Sequence, residues 1–107
     1  MESPRITIDV ETVCNLRRVA EFHETFGHPV KAAPDLSDED LNRLRMRLLN
    51  EELLELQDAL WEQDPVEVLD ALTDLQYVLD GAFLAFGLAP VKEAAAAEVH
   101  RSNMSKG

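Results

Sequence analysis

A single cysteine, Cys14, leaves the chain without the means to close an intrachain disulfide. No run of apolar residues approaches the length of a membrane span or a signal-peptide core, so the sequence reads as a protein of the reducing cytoplasm. Basic residues are also scarce. Ten Lys and Arg stand against 21 Asp and Glu, a formal net charge of -11. That balance disfavours a nucleic-acid backbone or an anionic membrane as partner, because like charge raises the work of approach, and it makes cations the natural complement. Strand signals are weak: Ile6 and Ile8 alternate, but the stretch is too short and isolated for a sheet, and residues 1–8 read as a lead-in arm. Low-complexity tracts and repeats of fixed period are absent.

What is present is helical. A chain of 107 residues with 46% hydrophobic and 29% charged positions fits one compact domain over 1–107. Val10, Val13, Leu16, Ala20 and Phe26 follow helical spacing, with Asp9 placed to cap the start and Gly27 to end the helix in the left-handed conformation. Cys14, among Val13, Leu16 and Val19, reads as a small core residue. After a proline-containing loop through Pro34, Ser37 and Asp40 have the spacing of a capping box, and a long helix is expected from there to about Gln63. Asp64-Pro65 then supplies an N-cap and an N1 proline for a third helix, which Gly87 terminates. Pro90 opens an alanine-rich fourth helix to about Arg101, and residues 102–107 form a polar tail. Four helices without a strand pair imply an all-α, four-helix bundle-like fold.

The acids of the second and third helices stand where apolar residues are expected. Leu41, Leu44 and Leu48 define a stripe that continues as Glu51, Glu52, Glu55 and Ala59, all within about 60° of its centre. A second stripe, Leu49, Leu53, Leu56 and Leu60, stays apolar, which implies that the acids are partly enclosed. The third helix sets Val68, Leu72, Leu75 and Leu79 on one face and Glu67, Asp70, Asp74, Tyr77 and Gly81 on another. Carboxylates gathered in a bundle interior need protons, cations or metal, since each unpaired buried anion costs several kcal/mol. Mg²⁺, with Mn²⁺ as the alternative, suits an all-oxygen site that holds neither histidine nor thiolate. The plainer account is a solvated face paired with Arg43, Arg45 and Arg47 one turn upstream. Two matching acidic patches on neighbouring helices argue for the metal.

These residues resemble the all-α nucleoside triphosphate pyrophosphohydrolases, which include MazG-type enzymes, dimeric dUTPases and phosphoribosyl-ATP pyrophosphohydrolase. Glu51-Glu52-Leu53-Leu54-Glu55 matches the Glu-Glu-x-x-Glu half of their hallmark. The second half reads as Glu67-Val68-Leu69-Asp70 or as Asp70-Ala71-Leu72-Thr73-Asp74. The run from Asp70 to Val78 and the ending from Glu98 to Lys106 look like the phosphoribosyl-ATP branch. The resemblance implies a magnesium-dependent enzyme that releases pyrophosphate and a monophosphate from a nucleotide, and a partner that is a second copy of the chain, in a homodimer or homotetramer. It assigns Glu52, Glu55, Asp70 and Asp74 as metal ligands, with Glu67 as an additional candidate, and Glu51 as the group that orients or deprotonates the attacking water. Asn103 and Lys106 would bind substrate phosphate, with Arg101 a weaker candidate. Members of this branch continue further, so the resemblance also implies a closing segment after Lys106.

Three activities compete on this reading: house-cleaning hydrolysis of nucleoside triphosphates, hydrolysis of phosphoribosyl-ATP in histidine biosynthesis, and a non-catalytic assembly module whose acidic seam binds metal. His23, His28 and His100 invite a general-base reading, but His23 and His28 lie on or just beyond the first helix without an acidic motif and are expected in surface or packing roles. Trp61 and Tyr77 fit core packing by their spacing, and Tyr77 shares the face of Asp70 and Asp74.

Overall fold

The computed structural model describes residues 15–106. The 1–8 arm, the Asp9 cap, Val10, Val13 and the Cys14 core position lie outside the described residues. Within them the chain is helical, with no strand: α1 (Leu16–Phe26), α2 (Glu39–Glu62), α3 (Pro65–Ala85), a 3-10 turn (Ala89–Val91) and α4 (Lys92–Lys106).

Helix ends follow local chemistry. Gly27, at φ 75°, closes α1 with its N–H on the His23 carbonyl. The cap of α2 is Asp38, whose carboxylate accepts from Leu41 N at 3.0 Å. Ser37 does not cap. Its N–H and hydroxyl donate to Asp35 Oδ1 at 2.9 and 2.6 Å, so the box read from Ser37 starts one residue early. Gln63 adopts φ 54° to stop α2, and Asp64 restarts the chain by accepting from Val66 N and Glu67 N at 3.0 and 3.3 Å. This two-residue link folds α3 back against α2 as a helical hairpin. The 102–107 stretch differs from the expected polar tail: α4 runs on through Lys106. Ser105 Oγ donates back to the Ser102 carbonyl at 2.8 Å, so the polar side chains there are accommodated within the helix.

The hairpin closes on small residues. Ala59 of α2 and Ala71, Ala82 and Ala85 of α3 are buried, as are Leu41, Leu84 and Val19 of α1. α1 packs against α3, while α4 meets the rest chiefly through the 3-10 turn. The four helices therefore form a three-helix body with an appended fourth. Close approach through alanine and glycine leaves the leucine flank outside: Leu53, Leu60, Leu72 and Leu79 are all exposed. Trp61, expected in the core, is 86% exposed because it stands opposite the Leu41–Ala59 face that meets α3. Tyr77 packs edge-on against Phe22, ring centroids 5.9 Å apart.

Candidate metal centre

The second and third helices bring three carboxylates together. Glu52 and Glu55, one turn apart on α2, and Asp74 on α3 each offer an oxygen, and these atoms all lie within 4.8 Å of one another. Antiparallel packing puts the Glu52 turn opposite the Asp74 turn, so residues 22 positions apart in sequence share one site.

Their electrostatics are those of an uncompensated cluster. Burial pushes the Glu52 carboxyl above its ordinary range, and the Glu55, Asp74 and Glu51 charges push it further. Asp74 rises for the same reasons: burial first, then the Asp70 and Glu55 charges. Among the described residues no Lys or Arg forms an ion pair with Glu51, Glu52, Glu55, Glu67, Asp70 or Asp74. Two of the three upstream arginines are otherwise engaged, and Arg47 borders Glu51 without an ion pair among the described residues. Arg43 pairs with Glu39 and Asp40, and Arg45 turns inward to donate to the Val78 carbonyl at 2.9 Å. An arginine-paired solvated face is therefore not what these acids make. Glu52 Oε2 is buried without a hydrogen-bond partner, which is the position a cation would satisfy. All-oxygen donors of net negative charge fit a hard divalent ion such as magnesium or manganese.

The remaining predicted residues are not part of this triad: Asp70 and Glu67 stand beside it, and the others lie on separate faces. Asp70 and Glu67 line an acidic groove of about 490 Å³ with Glu55, Asp58, Glu62 and Asp64, floored by Ala59 and Ala71. That groove runs from the triad to the hairpin turn, and both Asp70 and Glu67 border it. Glu51 lies on the outer flank of α2, lining a shallow depression with Arg47, Asn50 and Leu54. Asn103 and His100 line a separate groove between α3 and α4, with Gln76, Leu79, Phe83 and Lys92. Gln76 and Leu79 point away from the Asp74 face of α3, so a chain's own Asn103 stands on the side of α3 opposite its own triad. Lys106 ends α4 and is exposed, and Arg101 is held by Glu98. His28 is exposed against Phe22, and His23 is buried with Nδ1 2.9 Å from the Pro29 carbonyl.

Two buried charged residues escaped the sequence reading. Arg45 and Asp80 are 6% and 0% exposed. The signals that could have found them are the place of Arg45 between Leu41 and Leu48 on the face that meets α3, and the isolation of Asp80 as the single charge between Asp74 and Lys92. Arg45 reads with Arg43 and Arg47 as a partner for a solvated acidic face, and Asp80 carries no role in that reading.

An all-helical fold with a cross-helix carboxylate triad defines the class of all-α acidic-site proteins to which the MazG-like pyrophosphohydrolases belong. The family model for phosphoribosyl-ATP pyrophosphohydrolase matches residues 19–103, and the chain belongs to that family. The chain is also 39% identical over 82 residues to an uncharacterized protein of Acanthamoeba polyphaga mimivirus, a match covering 73% of this chain and 33% of that protein. It thus spans about a third of the length of that relative.

Proposed function

We infer that the protein is a divalent-metal-dependent nucleotide pyrophosphohydrolase that cleaves between the α- and β-phosphates to leave a monophosphate and pyrophosphate. The observation that carries this reading is the convergence of Glu52, Glu55 and Asp74 oxygens across two helices, with no Lys or Arg in an ion pair with them among the described residues. Magnesium or manganese at that point would supply positive charge against phosphate oxygens and acidify water. Glu52, Glu55 and Asp74 would hold the ion, and Asp70 and Glu67 extend the negative rim along the groove toward the hairpin turn. Glu51 stands on the flank of α2 beside Glu52, near enough for its charge to raise that carboxyl. It would have to turn from its outer depression toward the triad to accept a proton from the attacking water as that water's oxygen bonds to phosphorus and the bridging oxygen leaves with pyrophosphate.

A homodimer or homotetramer belongs to this reading. The exposed Leu53, Leu60 and Trp61 flank and the apolar residues Val99 and Met104 of α4 offer surface for a second copy. Asn103 and Lys106 reach phosphate when a neighbouring copy presents them, since each chain's own α4 stands away from its own triad. Within the enzyme reading, phosphoribosyl-ATP is favoured as substrate by the family description, and nucleoside triphosphates of the cytoplasmic pool are the house-cleaning alternative.

The test is pyrophosphate release with Mg²⁺ and Mn²⁺ across NTPs, dNTPs, modified nucleotides and phosphoribosyl-ATP. Glu52→Gln and Asp74→Asn are expected to abolish release while far-UV circular dichroism stays helical. Metal-dependent stabilisation without turnover of any substrate would instead make the seam a structural one.

A further inference from the structure

Three helices meet at one glycine. A side-chain carbon on Gly81 of α3 would run into Arg45 Nη2 from α2 and come to 3.1 Å from His23 Nε2 of α1. Gly81 is in ordinary helical geometry, so the backbone does not require glycine; the space is needed by the guanidinium. Arg45 fills that space at 6% exposure, and its Nη2 donates to the Val78 carbonyl of α3 at 2.9 Å. His23 closes the other side, fixed by its own contact with the Pro29 carbonyl at 2.9 Å.

Arg45 has no carboxylate partner in any ion pair of the described residues, and its Nε is buried without a hydrogen bond. As a source of stability this is a poor device, because an apolar side chain of similar volume fills the same space without desolvating a charge. What an arginine adds is direction. Its bond to one named carbonyl of α3 fixes both the rotation of α2 and its position along α3. Arg45 lies two turns from Glu52 on the same face of α2, and Val78 lies one turn from Asp74 on α3. A one-residue slip between the helices shifts one by about 1.5 Å and turns its side chains by about 100°, enough to separate Glu52 and Glu55 from Asp74.

We propose that Arg45, seated in the notch left by Gly81, is the positioning residue that holds α2 and α3 in the register where the three carboxylates converge. The proposal rests on the metal reading of that triad.

The experiment is direct Mn²⁺ titration of the full chain without nucleotide, following free Mn²⁺ by electron paramagnetic resonance, at a temperature where melting curves show each variant folded. Gly81→Ala keeps the arginine but evicts it from its notch, and Arg45→Met keeps the volume but removes the donor. Both are expected to weaken Mn²⁺ binding by about tenfold or more, with Arg45→Lys between them and wild type because it retains a donor. Val19→Ala serves as the control for stability, since it opens space in the buried α1 core while leaving Arg45, Gly81 and the Val78 carbonyl unaltered. It is expected to lower the melting temperature and leave Mn²⁺ binding unchanged. Wild-type affinity in Gly81→Ala and Arg45→Met, or a loss in Val19→Ala that tracks its melting temperature, overturns the positioning role while leaving the metal site standing. A wild-type chain that binds no Mn²⁺ removes the metal reading and this proposal together.

Discussion

Glu52 of α2 and Asp74 of α3 face each other across the helical hairpin, each contributing an oxygen to a cluster no wider than 4.8 Å, and both carboxyls are pushed up by burial and by neighbouring acids. Each therefore weakens the metal-free fold while serving as a ligand. Glu52→Gln keeps the shape and removes the charge. Its metal-free form is expected to gain on the order of 0.5 kcal/mol from one relieved like-charge contact with Glu55, and to lose the stabilisation that Mg²⁺ gives wild type. Thermal melts with and without Mg²⁺ check both halves, and a wild-type response to Mg²⁺ in the variant would remove Glu52 from the ligand set.

The same relationship sets a pH dependence. A carboxyl whose folded pKa is raised contributes stability that is fully present below its ordinary value, 4.5 for Glu52 and 3.8 for Asp74, and lost as pH rises through the folded value. A bound cation needs the ionised forms and so acts in the opposite direction. The gap between the Mg²⁺-loaded and metal-free melting temperatures should therefore widen as pH rises through this window. Asp35, held at about 2 by its hydrogen bonds from Ser37, adds stability that is lost as pH falls from 3.8 toward that value, and it does so with and without Mg²⁺ alike, so it cancels from the gap. Differential scanning fluorimetry over acidic to neutral pH, with and without Mg²⁺, checks the sign, and a gap independent of pH would contradict it.

The triad was legible in the sequence because helical period carries it: Glu52 and Glu55 replace leucines in a stripe, and Asp74 lies on the matching face of the next helix. Helix boundaries at Gly27, Gln63 and Asp64-Pro65 were legible for the same local reasons. Enclosure was not. A stripe of leucines says that a face is apolar without saying what covers it, and here alanines at 59, 71, 82 and 85 take the interface while Leu53 and Trp61 face outward. Arg45 and Asp80 were missed although the signals were present: Arg45 lies two turns from Glu52 on the same face of α2, and Asp80 is the single charge in the apolar run between Asp74 and Lys92. Neither pattern says that a notch or a cation waits for the charge.

Gly87 follows α3 at φ 74°, and a side-chain carbon there would collide with the Ala33 carbonyl. The approach is that close because the preceding loop is tied to the end of α3, with Lys31 N–H donating to the Leu84 carbonyl and Asp35 N–H to the Phe86 carbonyl, each at 3.0 Å. Gly87→Ala combines left-handed strain with that collision and should cost at least ~2 kcal/mol in urea unfolding. An unchanged unfolding midpoint would mean that the loop docks with slack.

Asp80 is wholly buried in α3, with Gln76 Nε2 donating to Oδ2 at 3.1 Å and Lys92 Nζ 3.4 Å from Oδ1. Lys92 is the first residue of α4 and also lies over the Phe83 ring, 5.6 Å from its centroid, so this pair ties the appended helix to the body. Lys92→Ala leaves the buried carboxylate without that cation and is expected to cost about 2 kcal/mol, below the full loss for an enclosed pair because the lysine is partly solvated. Asp80→Leu combined with Lys92→Met removes the desolvated charges together and should recover most of it. Urea unfolding of the singles and the double forms a cycle whose coupling measures the tie. Strictly additive losses would show that α4 is held by the apolar residues of the 3-10 turn, and that the ion pair contributes nothing to its attachment.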